Sequence, residues 1–217
     1  MVKNRISQII FQSFYCALAL MGFLCSVGLF QAKFYGIFYV YFTNLSNYIC
    51  AAVMLLELIQ GAKAAQKGES GFVSALPVLK FLGLVMITIT FVVFNFLLAK
   101  DRPIEKNLTV SSIMFHQVLP VMYVIDWVLF YEHKKVKWQT PLLSLVIPLF
   151  YAVFVFIRAE IMHREGEVVY PYFFLDVNKL GWGGVVVWIV ILIAAFIAVG
   201  YIFFALDKII KPKKDKT

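Results

Sequence analysis

Residues 181–206, GWGGVVVWIVILIAAFIAVGYIFFAL, run for 26 positions without a charged side chain. An α-helix needs roughly 20 apolar residues to cross the hydrocarbon core of a bilayer, so this stretch reads as a membrane span. Working outward, segments near 6–30, 35–60, 76–99, 108–131 and 141–162 meet the same criterion. The fold expected is therefore all-α, a polytopic six-helix transmembrane bundle. The fifth segment is the least regular, because its clean apolar run stops at Arg158 and Pro148 stands at mid-span. Neighbouring helices can satisfy a carbonyl freed by such a proline, and a five-span reading is the rival topology.

Composition agrees with lipid as the main solvent: 62% of residues are hydrophobic, 15% are charged, and mean hydropathy is +0.86. Six spans consume most of the chain, so residues 1–210 form one transmembrane domain and 211–217 a basic cytoplasmic tail. The first apolar stretch is too long for a cleaved leader and reads as a retained span. A net charge of +8 could suggest nucleic acid, but the basic residues collect in loops and at the C-terminus, where anionic lipid headgroups would face them. No nucleic-acid partner is expected; contact with membrane lipids is. Six spans put 13 Lys and Arg on the side of the two termini and seven on the other. The excess of positive charge on cytoplasmic loops then places both termini in the cytoplasm. The loop HREGEVVYPYFFLDVNKLGWGG, 163–184, mixes aromatics with charges and suits the outer headgroup zone, where it could cap a cavity.

Polar groups in hydrocarbon are costly unless partnered, which makes them the first place to seek function. At 100° per residue, Thr43, Ser46, Asn47, Cys50 and Glu57 form one stripe on span 2. Thr109, Ser112, His116, Tyr123 and Trp127 share a face of span 4, with Asp126 at its edge. Counted from the expected span starts, Thr43 and His116 each lie about 12 Å deep. A neutral histidine can take the proton of a threonine hydroxyl, and the resulting nucleophile attacks an ester carbonyl. Asn47, first, then Asn44 or Ser112, are candidate oxyanion donors. Arg158 could hold a substrate carboxylate. Plainer alternatives exist for each: Thr43 bonded to its own Tyr39 carbonyl, His116 satisfied by Gln117 or Ser112, Glu57 and Asp126 paired with Lys80 or reached by water, and Arg158 paired with Glu160.

Three stretches carry a further signal: YFTNLSN at 41–47, HQVLP at 116–120 followed by DW at 126–127, and YPYFFLDV at 170–177. In these the chain resembles the androgen-induced-gene family of membrane threonine hydrolases and its bacterial relatives. The resemblance implies hydrolysis of fatty acid esters of hydroxy fatty acids, with Thr43 as nucleophile and His116 as base, and it draws Tyr170 and Asp176 of the aromatic loop into substrate binding. No cofactor or metal motif is visible. His116, His133 and His163 cannot meet at one depth as zinc ligands. The rival function is a membrane transporter or proton-coupled carrier using His116, Asp126 and Glu57.

Overall fold

The computed structural model describes residues 5–32, 34–69, 71–165 and 170–210. The basic tail 211–217, Lys3, Lys33 and loop residues 166–169 lie outside them. Among the described residues there is no strand, and six helices are long and apolar enough to span a membrane. They are α1 (Arg5–Ser26), α2 (Phe42–Gln66), α3 (Pro77–Asp101), α4 (Val110–Phe130), α5 (Thr140–Met162) and α6 (Val177–Ile209). The chain is an all-α, multi-pass membrane bundle.

Hydrogen bonds fix its up-and-down order. At one end Arg5 Nε donates to the Gly71 carbonyl, Tyr131 Oη to that of Pro77, and His133 Nδ1 pairs with Asp207 at 3.0 Å. These contacts gather the start of α1, the α2–α3 and α4–α5 loops and the end of α6. The α1–α2, α3–α4 and α5–α6 loops meet at the other end, around a cavity lined by Tyr35, Arg102 and Tyr172. An even number of passes returns both ends of the described chain to the same side.

The central helices α2, α3 and α4 supply most of the core, including Met54, Leu84, Met86, Leu119 and Trp127. Close approach is part of this packing: a Cβ on Gly83 would fall 2.8 Å from Tyr123 Oη and 3.1 Å from Cys50 Sγ. Outward residues of α6 such as Trp182, Val187 and Val190 stay exposed, as lipid permits.

Several expected boundaries move. The second span begins at Phe42 rather than 35, because Gly36–Val40 winds as a 3₁₀ segment and Tyr41 is extended, with φ −86° and ψ 131°. It continues to Gln66 because GAKAAQ is rich in good helix formers. The last begins at Val177, where Asp176 caps it by accepting from the Asn178 and Lys179 amides at 3.1 and 3.2 Å. Gly181, at φ 63°, then kinks the helix where the apolar run starts.

Two helices also change their winding. Residues 94–98 of α3 and 114–118 of α4 form π turns. In α4 the cause is Pro120, which has no N–H to give and whose ring crowds the carbonyl four residues earlier, on His116. In α3, Asn95 Nδ2 bonds back to the Phe91 carbonyl at 2.8 Å and competes with the regular ladder. Each π turn admits an extra residue and rotates the rest of its helix. Asp126, expected at the edge of the inward face, is accordingly fully buried.

Candidate active site

Thr43 stands in the first turn of α2, not two turns along a helix beginning at 35. The depth obtained by counting from 35 therefore does not hold, although the stripe itself does: Thr43, Ser46, Asn47, Cys50 and Glu57 are all buried. The turn is held from several directions. Tyr151 Oη donates to the Val40 carbonyl at 2.8 Å, Asn44 Nδ2 to that of Phe38 at 2.5 Å, and Ser46 Oγ and Asn47 Nδ2 to that of Thr43 at 3.0 and 2.8 Å. No bond joins the Thr43 hydroxyl to Tyr39.

His116 is fixed just as firmly in the π turn of α4. Its ring stacks on Phe94, with centroids 3.5 Å apart and planes 14° from parallel. The two π turns meet at this stack and are tied beside it by Gln117 Nε2 donating to Asn95 Oδ1 at 2.7 Å. His116 Nδ1 lies 2.9 Å from the Ser112 carbonyl. A carbonyl only accepts, so Nδ1 carries the hydrogen and Nε2 is left with the lone pair of a base.

Thr43 and His116 open onto one cavity of about 520 Å³, with Asn44, Ser112, Arg102 and Tyr172 on its walls. They make no direct hydrogen bond. A second cavity of about 100 Å³ is an apolar slot between α3, α5 and α6, lined by residues such as Val93, Ala152, Ile189 and Phe196. Thr43, Leu98 and Tyr172 border both spaces. Thr43 therefore lies on a wall common to the two spaces.

Searches of protein-family models, curated proteins and solved structures found no match to the chain. Its chemistry must be read from its side chains.

Of the candidate oxyanion donors, Asn44 and Ser112 line the shared cavity. Asn47, ranked first for that task, does not: its amide hydrogens go to the Thr43 and Phe115 carbonyls, and it serves as a clamp between α2 and α4. Arg158 is buried on α5 and lines neither cavity. Tyr170 packs against the apolar cluster around Phe174, and Asp176 is spent capping α6, with Lys179 at 3.6 Å. Glu57 and Asp126 both bind Lys80, which is buried rather than among the solvent-facing cytoplasmic charges.

Two residues that sequence reasoning passed over line the cavity instead. Arg102, tallied only as a basic loop residue, is exposed at the cavity, beside Asp101 and with its guanidinium 5.5 Å from the Phe94 ring centre. Tyr172, two positions from Tyr170, receives the Thr43 amide hydrogen at 3.4 Å. Desolvation pushes its phenol up, against hydrogen bonds from the Thr43 hydroxyl and amide and the Phe42 amide. It remains protonated near neutral pH, with a hydrogen to donate.

Proposed function

We propose that the chain is an intramembrane hydrolase of lipid esters, with Thr43 as nucleophile and His116 as general base. The observation that carries the reading is the position of Thr43 on the wall shared by the apolar slot and the polar cavity holding His116. An ester with its acyl chain in the slot and its alcohol portion in the cavity would present its carbonyl to the threonine.

Thr43 Oγ1 then attacks the carbonyl carbon as His116 Nε2 takes the proton, directly or through one water. The tetrahedral oxyanion is met by Tyr172 O–H, by the free hydrogen of the Asn44 amide and by the positive end of the α2 dipole. Collapse expels the alcohol, which recovers the proton from His116, and leaves an acyl-threonine. Water activated by the same histidine releases the fatty acid.

Tyr172→Phe is expected to lower kcat about 10²-fold with little change in KM, as loss of one oxyanion donor does. Steady-state hydrolysis of a chromogenic long-chain ester checks this. Arg102 at the cavity suits a substrate whose alcohol half ends in a carboxylate, the class that resemblance to the androgen-induced-gene family suggests. Arg102→Gln is then expected to raise KM about tenfold for such acids, the value of one charge-assisted contact, and to leave neutral esters unchanged. Parallel assays of an ester acid and its methyl ester separate the two.

The carrier reading has less support, since Glu57 and Asp126 share one lysine instead of forming steps toward His116. The proposed setting is a bacterial cytoplasmic membrane, with the Arg5 and Ile209 ends inside and the Thr43 cavity in the outer half. The direct test is labelling of membranes with a fluorophosphonate probe. Wild type is expected to label, and Thr43→Ala and His116→Ala to lose the signal at equal expression; undiminished labelling of Thr43→Ala sinks the proposal.

A further inference from the structure

At the opposite end of the bundle lies a polar cluster that the hydrolase reading does not use. Glu57 stands 14 residues after Thr43 on α2, about 21 Å at the helical rise. Its carboxylate, that of Asp126 on α4 and the ammonium of Lys80 on α3 are joined by ion pairs, all buried. Gln12 from α1 bridges the carboxylates, donating to Glu57 Oε2 at 3.0 Å and to Asp126 Oδ1 at 3.2 Å.

Two independent counts fail to close if both acids are ionised. The first is charge: two carboxylates against one ammonium leave a net negative charge in the dry interior. The other titratable groups around the cluster are Tyr15, Cys16, Cys50, Tyr123 and Tyr131, none a cation. An uncompensated charge there is strongly unfavourable and is relieved by neutralisation.

The second count is of hydrogens. Lys80 spends its three on Glu57 Oε2, Asp126 Oδ2 and, at 3.6 Å, Met54 Sδ. Gln12 spends both of its own on the acids. Glu57 Oε1 and Gln12 Oε1 remain buried without a hydrogen-bond partner. Neither oxygen has a donor. Both oxygens of Asp126 already accept, whereas Glu57 has a bare one.

We propose that Glu57 carries a bound proton on Oε1, so that Gln12, Glu57, Lys80 and Asp126 form a neutral single-proton site tying α1 to α2, α3 and α4. One added hydrogen cancels the excess charge and puts a donor where the bare oxygen was. Glu57→Gln mimics that state, because its amide keeps an acceptor for Lys80 and gains hydrogens where the bare oxygen was. Asp126→Asn instead turns an N–H₂ toward groups that already donate.

Infrared spectroscopy of the purified protein, with thermal unfolding of both variants in the same detergent, tests the assignment independently of any hydrolase activity. Wild type is expected to show a protonated-carboxyl C=O band that shifts in deuterium oxide and vanishes in Glu57→Gln. That variant should hold its Tm within about 2 °C, while Asp126→Asn loses about 5 °C or more. A band that is absent from wild type or survives in Glu57→Gln overturns the proposal. So does equal destabilisation by the two substitutions, or a sodium-dependent rise in wild-type Tm without a carboxyl band, which would make the missing charge a metal ion.

Discussion

His116→Ala is expected to lower kcat for ester hydrolysis about 10²- to 10⁴-fold, the range for loss of a positioned general base. The expectation rests on how little freedom the ring has: Phe94 packs against its face and the Ser112 carbonyl fixes its tautomer. Removing the imidazole deprives Thr43 of its proton acceptor and leaves the binding spaces in place, so KM should change little. Thr43→Ala should cost at least as much. Thr43→Ser, which keeps a hydroxyl at the junction of the two cavities, should retain activity within about tenfold of wild type. Equal loss in the serine and alanine variants would point to packing rather than to the hydroxyl.

Lys80→Met is expected to destabilise the bundle by about 3–5 kcal/mol, the cost of removing one partner from a buried ion pair. For a chain of this size that corresponds to a fall in Tm of about 10 °C or more. The side chain is 1% exposed and joins α3 to both α2 and α4 through Glu57 and Asp126, so its loss leaves the Asp126 carboxylate buried without a cation. Methionine fills similar volume, which confines the effect to charge and hydrogen bonding. Thermal unfolding in detergent checks it, and a Tm within about 2 °C of wild type would show that the cluster contributes little.

What the sequence revealed tracks what is local or periodic. The 181–206 run identified a span on length alone, and the stripe from Thr43 to Glu57 gave the buried face of α2 because that helix is regular. The pairing of Glu57 and Asp126 with Lys80 was legible because buried charges need partners. In α4 the inward face persisted past the π turn before Pro120, since Ser112, Tyr123 and Trp127 are buried, and Asp126 at its edge is buried with them. Depth was lost at α2, since aromatic residues 35–41 are apolar enough to read as helix yet lie in a 3₁₀ segment and an extended residue. Asn47 sits one turn from Thr43 and so invited a catalytic role, but side-chain spacing does not reveal that backbone carbonyls claim both its hydrogens. Tyr172 and Arg102 were hidden for a related reason: loop residues reach a cavity through tertiary folding, with no period to announce them. Recognition of Tyr172 in place of Tyr170 depended on which ring of YPYFFLDV turns toward α2.

Mapping the covalent adduct bears most directly on the pairing of Thr43 with His116. Purified protein treated with a long-chain fluorophosphonate, digested and sequenced by mass spectrometry, is expected to carry the phosphonate on Thr43. His116→Ala is expected to carry almost none. An adduct on another hydroxyl, such as Ser112, or modification of Thr43 that is undiminished in His116→Ala, would contradict the account.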